Sequence, residues 1–137
     1  MKVNIEVELS VQDMMDLLCT AFEGGVSYWV ASILGIGGDA SKLPEGRMQI
    51  EHEYEWLAVG GTLEVTIKKM LSGEDKTVLY LTQDFLQKGL QEWIYKNSVQ
   101  VYYDGARRDT ALDLGNIDAS DADEIVQFAL FGKLVFG

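Results

Sequence analysis

Apolar residues change their spacing along this chain, and the change predicts the order of its secondary-structure elements. Segments in which apolar and polar residues alternate are typical of strands with one buried face, and they cover residues 3–9, 48–56 and 62–68. Segments with apolar residues at three- and four-residue intervals are typical of amphipathic helices, and they cover residues 10–23, 82–97 and 118–131. Because strands and helices are segregated rather than alternating as βαβ units, the order predicts an α+β fold.

The remaining segments complete a predicted sheet. Residues 26–36 are rich in aromatic and β-branched types between glycine pairs, which favours a strand and leaves a second helix open. Residues 78–81 are predicted to pair with 62–68 after a turn at 72–75. Shorter strands are predicted at 99–103 and at the edge of the sheet at 134–136, and loops at 37–47 and 104–116. We therefore expect a single α+β domain over residues 1–137, with an antiparallel sheet of about four to six strands and two to three helices packed on one face.

The charge balance excludes several classes of partner. The chain has 22 acidic and 11 basic residues, for a net charge of −11. Direct binding of nucleic acid or of an anionic membrane requires clustered lysine and arginine, so we expect neither. One cysteine, Cys19, predicts a reducing compartment without an internal disulfide. We expect no signal peptide and no membrane span, because no long apolar run is present.

No motif in the chain predicts catalytic residues, a metal site or a cofactor. Cys19 lies on the predicted inner face of a helix, and His52 is the only histidine, so we interpret both as structural. The acidic residues at 118–124 are interpreted as helix caps. A carboxylate pair such as Glu23 with Glu55 stays open as acid–base chemistry if the fold brings the two together.

Regularly spaced acidic residues are the strongest functional pattern. Glu51, Glu53 and Glu55 are predicted to emerge from one face of a strand about 6.5–7 Å apart, and Glu6 and Glu8 repeat the pattern on the first strand. That interval is close to the spacing of phosphates along a nucleic-acid strand. Two interpretations stay open: a solvated sheet face, or a surface that occupies a basic groove on a partner.

A set of aromatic residues suggests a second kind of site. Tyr28, Trp29 and Trp56 lie next to glycine pairs, where they could line a pocket, with Arg107 and Arg108 as contacts to a phosphate. Packing in the core is the alternative use of these aromatic residues.

Three segments carry a resemblance to a known family: residues 21–29, 82–90 and 117–137. They contain the motifs Glu-Gly-Gly…Tyr-Trp and Asp-Ala-Asp…Phe-Gly. The chain resembles a family of small bacteriophage and prophage accessory proteins. Because small acidic phage proteins of this kind are often inhibitors of host defence, the resemblance implies an anti-CRISPR-type protein located in the host cell cytoplasm.

Two functional hypotheses follow. The first is a phage-encoded inhibitor that binds a basic surface of a host defence complex through Glu6, Glu8, Glu51, Glu53 and Glu55, without catalysis. The alternative is a phage protein that sequesters a nucleotide signal through Tyr28, Trp29, Trp56, Arg107 and Arg108 at an oligomer interface. A homo-oligomer is compatible with both.

Overall fold

The computed structural model describes residues 8–73, 77–97, 101–104, 109–112 and 116–137, with the backbone alone described at 101–104 and 109–112. The α+β class is confirmed. In chain order the elements are α1 (Val11–Thr20), a π-helical turn (Ala21–Gly25), β1 (Val30–Ile36), a 3₁₀ turn (Ala40–Lys42), α2 (Glu55–Ala58), β2 (Thr62–Ile67), α3 (Lys69–Ser72), β3 (Thr77–Leu81), α4 (Gln83–Asn97), β4 (Val101–Asp104), β5 (Asp109–Leu112) and α5 (Ala119–Phe131).

The strands form two separate antiparallel units. Among the described residues one sheet has the order β1-β2-β3, so β1 and β3 are its edges, and β4 pairs with β5 in a second sheet. The predicted pairing of residues 62–68 with 78–81 is confirmed, as is the strand at the end of 26–36. A single sheet of four to six strands is wrong, because the described main sheet has three. The predicted loop at 104–116 contains β5, which is too short for its pattern to indicate a strand.

The main sheet has one buried face. Leu63, Val65 and Leu81 are fully buried on that face, whereas Leu34 and Tyr80 on the opposite face remain 50% and 53% exposed. Helix α2 contacts β1 and β2, and α5 contacts β3. The expectation that all helices pack on one face stays a prediction.

Local capping explains where the helices begin and end. Ser10 caps α1 and pairs with Asp13 in a capping box, and Asp118 and Asp121 do the same for α5. Helix α5 ends at Gly132, which has a left-handed φ of 70°. The capping interpretation of 118–124 is confirmed for Asp118 and Asp121, whereas Asp123 and Glu124 accept hydrogen bonds from tryptophan side chains.

Helices α4 and α5 cross closely at a glycine. A Cβ added to Gly89 would lie 2.5 Å from the backbone nitrogen of Ala129, so any larger residue would push the two helices apart. Around this crossing and the sheet, the buried apolar residues form one continuous core that includes Leu18, Trp29 and Ile125. No helix in the described ranges has both the length and the apolar character to cross a membrane.

Two predicted strands do not form. Residues 48–54 are irregular and lead into α2, so a strand at 48–56 is wrong. Tyr54 and Glu55 are consecutive and both buried, which a strand with one solvent-exposed face does not allow. The predicted edge strand at 134–136 is also wrong, because a side chain rather than a neighbouring strand binds its backbone. Residues 1–7, which hold most of the predicted first strand, lie outside the described residues.

Candidate functional site

A π-helical turn separates two groups of polar side chains. The last turn of α1 continues as π-helix over Ala21–Gly25, a geometry that is rare and often found at functional sites. Glu23 of this turn belongs to the first group, which lies beside α1 and α2. Gly24 and Gly25 line a groove that contains the second group, beside α5.

The first group, here called the acidic cluster, contains the only cysteine and the only histidine of the chain. Its members are Asp16, Cys19, Glu23, Arg47, Glu51, His52 and Glu55. The Cys19 thiol donates a hydrogen bond to Glu23 at 2.7 Å, and the other Glu23 oxygen lies 3.9 Å from His52 Nδ1. These contacts join the end of α1 to the segment before α2.

A buried carboxylate lies at the inner side of the acidic cluster. Glu55 is 1% exposed, and one of its oxygens is 2.5 Å from Arg47 Nη2. Its other oxygen accepts the backbone N–H of His52 at 3.2 Å. Arg47 Nη2 also lies 3.6 Å from Glu51. Burial of the Glu55 charge is therefore compensated by an ion pair and a backbone hydrogen bond.

The predicted row of glutamates is wrong as a geometric feature. Glu51 is exposed, Glu53 accepts the backbone N–H of Gly35 at 2.6 Å on the edge of β1, and Glu55 is buried. The three side chains therefore lie in three different environments. Glu8 is exposed just before α1, and Glu6 lies outside the described residues. A role for these residues in partner binding stays a prediction.

Three potential metal ligands meet within the acidic cluster. Ligand atoms of Glu51, His52 and Glu55 all lie within 4.8 Å of one another. The guanidinium of Arg47 already pairs with both glutamates, so a divalent cation would have to displace it. The arrangement therefore resembles an ion-pair network more closely than a metal centre.

The thiol of Cys19 is held in its protonated form. Its hydrogen bond to the Glu23 carboxylate raises the pKa of Cys19 above the ordinary value. A nucleophilic cysteine requires the opposite shift. Cys19 is half-buried rather than part of the closed core, because its sulfur reaches this carboxylate. Glu23 and Glu55 do approach the same residue, one at the His52 ring and one at the His52 backbone.

The second group is a hydrogen-bond network centred on Asp123 in α5. Asp123 is 8% exposed and accepts hydrogen bonds from the Trp29 indole and the Tyr28 hydroxyl, both at 2.7 Å. Gln127 Nε2 adds a third at 3.0 Å. A buried carboxylate is stable where donors satisfy it in this way. Burial, with the bond to Asp123, raises the pKa of Tyr28 to about 12.

Gln127 binds the backbone of the segment that follows α5. Its Oε1 accepts the N–H groups of Val135 and Phe136, each at 2.8 Å, and its Nε2 donates to the Phe136 carbonyl at 3.2 Å. The Phe136 ring stacks on Trp29 with ring centres 5.2 Å apart. One amide side chain therefore provides the hydrogen bonds that an adjacent strand would otherwise supply.

An open groove of about 680 Å³ lies against this network. Tyr28, Asp123, Glu124 and the turn at Gly25 contribute to its lining. A Cβ on Gly25 would lie 2.3 Å from the carbonyl oxygen of Ala119, so the turn can approach α5 this closely only with glycine. Two carboxylates in the lining disfavour a phosphate-bearing ligand here.

The residues predicted to bind a nucleotide are not brought together. Tyr28 lines the groove, Trp29 is fully buried beneath it, and Trp56 packs against Gly35 at the edge of β1. Arg107 and Arg108 lie outside the described residues. The nucleotide-binding alternative stays a prediction that the described part of the chain does not support.

Sequence reasoning missed Asp123 and Gln127 as the centre of a site. A signal was present, because the two are four residues apart among the apolar residues of the α5 inner face. A carboxylate and an amide on a buried face need partners, and the preceding aromatic pair supplies them. Comparison of the chain with protein-family models, curated proteins and solved structures finds no match.

Proposed function

We propose that this protein is a non-catalytic inhibitor of a host defence system, of the anti-CRISPR type, that binds a basic surface of a host protein complex. The observation that carries the proposal is the concentration of exposed carboxylates in the acidic cluster. Asp16, Glu23 and Glu51 are all exposed there, around an Arg47 that is already committed to the buried Glu55. This cluster replaces the linear row of glutamates as the proposed contact surface.

Electrostatics support a basic partner. A net charge of −11 steers the chain towards positive surfaces and away from nucleic acid. Glu23 and Glu51 both lie close to His52, so lysine or arginine side chains of a partner could meet both at once. Contacts of this kind mainly increase the association rate and make it sensitive to salt.

The class of partner follows from the same charge and from the resemblance to phage accessory proteins. Complexes that bind DNA or RNA expose channels rich in lysine and arginine. An acidic protein bound at such a channel would exclude the nucleic acid by occupying its space and by repelling its phosphates. The Cys19 thiol and the Asp123 carboxylate are already used in internal hydrogen bonds, which supports binding rather than chemistry.

A competition experiment tests the proposal. Purified CRISPR effector complexes of several types are mixed with the protein, and binding of target DNA is measured by gel mobility shift. At least one complex should lose DNA binding, and higher salt should weaken the inhibition. The double substitution Glu23→Lys and Glu51→Lys should reduce inhibition at least tenfold. The matched control is Glu45→Lys, a reversal at an exposed carboxylate of the loop at 37–47.

The outcomes test the proposed inhibition and the proposed contact surface separately. If no effector complex loses DNA binding, the proposed inhibition is wrong. If inhibition occurs but the double reversal leaves it intact while circular dichroism shows a folded protein, the function stands and the acidic cluster is not the contact surface.

A further inference from the structure

One face of the main sheet is left uncovered by the described helices. The register places three cross-strand rows on this face, here called the outer sheet face. Its residues are Ser32, Leu34, Ile36, Thr62, Glu64, Thr66, Val78 and Tyr80. Leu34, Ile36 and Tyr80 are each about half exposed. Three large apolar side chains on one face form a patch, unlike single apolar residues scattered over a surface.

The middle row combines apolar groups with one charge. Leu34 pairs with Glu64 across β1 and β2, and Glu64 pairs with Tyr80 across β2 and β3. Neighbouring strands lie about 4.8 Å apart, so the carboxylate stands between an aliphatic side chain and an aromatic ring. Ile36 lies on the same strand as Leu34, two residues further on, and widens the apolar side of the row.

Glu64 forms no ion pair and no side-chain hydrogen bond with any residue that the structure describes. The other two members of its row, Leu34 and Tyr80, carry no charge to pair with it. Covering this face with an entirely apolar partner would remove water from the carboxylate without replacing its hydrogen bonds, which is costly. An occupant of the outer sheet face must therefore bring a positive charge to Glu64.

A second copy of this chain does not meet that requirement. A two-fold interface joins the same patch on both subunits, so it would bring a second Glu64 and no arginine or lysine of the outer sheet face into the contact. Each copy also carries a net charge of −11. Like charges across an interface oppose association.

Arginine fits the row better than lysine. A guanidinium group can bind both oxygens of a carboxylate while its flat face stacks on an aromatic ring. Glu64 and Tyr80 are direct cross-strand partners, so one guanidinium can contact both. The compact ammonium of lysine can pair with the carboxylate but does not share this planar geometry.

We propose that the outer sheet face is the docking surface for a protein partner that places an arginine over Glu64 and Tyr80 and an aliphatic side chain against Leu34 and Ile36. This surface is separate from the acidic cluster, and the proposal does not depend on the inhibition of a defence complex. The proposed interaction is on the face of the main sheet opposite the one that packs in the core.

The experiment is an undirected selection. A library of a small helical scaffold, with one face randomised and displayed on phage, is selected for binding to the full chain. The dominant binders should contain arginine among apolar residues on their randomised face. Their affinity should fall about tenfold on Glu64→Gln and on Tyr80→Ala, and should be retained on Tyr80→Phe, which keeps the ring.

Matched controls make the result specific. Glu45→Gln removes an exposed carboxylate outside the sheet and should leave binding unchanged. The reversals at Glu23 and Glu51 should also leave it unchanged, so failure here and failure of the proposed inhibition are distinguishable. Circular dichroism identifies any variant that does not fold; if Tyr80→Ala is one, loss of binding on Glu64→Gln with retention on Tyr80→Phe decides.

Two results would overturn the proposal. The first is dominant binders that lack arginine or bind Glu64→Gln as tightly as the unmodified protein. The second is a stable dimer in sedimentation velocity that Leu34→Glu converts to monomer, because the occupant would then be a second copy.

Discussion

Substituting Asp123 should test how far the buried network stabilises the fold. In Asp123→Ala the indole N–H of Trp29 loses its acceptor in a site with no solvent exposure. An unsatisfied buried donor costs about 1–3 kcal/mol. Charge-assisted bonds from Tyr28 and Gln127 are also lost, but Tyr28 is 44% exposed and water replaces part of its bond. We add about 1–2 kcal/mol for these two, for a total of about 2–5 kcal/mol.

That loss is large compared with the stability of a typical domain, which is about 5–15 kcal/mol. For a chain of this length it corresponds to a fall in melting temperature of roughly 8–20 °C. Asp123→Asn should cost less, about 1–2 kcal/mol, because the amide oxygen can still accept from the Trp29 indole while the charge is lost. The order of stability is therefore unmodified protein, then Asp123→Asn, then Asp123→Ala.

Urea unfolding followed by the fluorescence of the three tryptophans, of which Trp29 belongs to the network, measures these differences. Thermal unfolding followed by circular dichroism provides an independent value. Glu45→Gln, at an exposed carboxylate, should unfold within about 0.5 kcal/mol of the unmodified protein. If Asp123→Ala also unfolds within that margin, the indole does not depend on Asp123 as its acceptor and the reasoning is wrong.

Three further predictions follow from single contacts. Gly25→Ala should destabilise the protein by more than about 2 kcal/mol in urea unfolding, because its Cβ would overlap the Ala119 carbonyl oxygen; an unchanged midpoint would contradict the close approach. Glu55→Ala should cost about 3 kcal/mol in the same assay, the low end for a broken buried pair because the Arg47 side chain is 26% exposed, and a neutral result would show that the ion pair contributes nothing. The pKa of Tyr28 is raised to about 12 from its ordinary value near 10. Its contribution to stability should therefore be complete below about pH 10 and lost towards pH 12, a decline that Tyr28→Phe should reduce in urea midpoints measured across that range.

Elements specified by local physics could be predicted from the sequence. The caps at Ser10 and Asp118 and the stop at Gly132 depend on residues within one turn of the helix end. The pairing of β2 with β3 follows from alternating apolar residues on both sides of a turn. In each case the signal and the structure that it specifies lie close together in the chain.

The segment at 48–56 shows where periodicity alone misleads. Its glutamates lie at alternate positions, but each has a different environment rather than a shared strand face. Glu53 satisfies the Gly35 amide at the edge of β1, and Glu55 turns inward to Arg47. Both partners are distant in sequence, 18 and 8 residues away. A carboxylate directed at a backbone amide or at a guanidinium within the fold has the same sequence pattern as one directed at water.

The groove leads to a similar conclusion about two of the segments singled out in the sequence, residues 21–29 and 117–137. Tyr28 and Trp29 of the first segment and Asp123 and Gln127 of the last meet in one hydrogen-bond network. The polar groups of these four residues are therefore largely occupied by hydrogen bonds within the fold. A partner meets the least internal competition at surface groups that the fold has left unpaired. Glu64 is one such group, because its carboxylate pairs with no described residue and is flanked by exposed apolar side chains on a sheet face that no described helix covers.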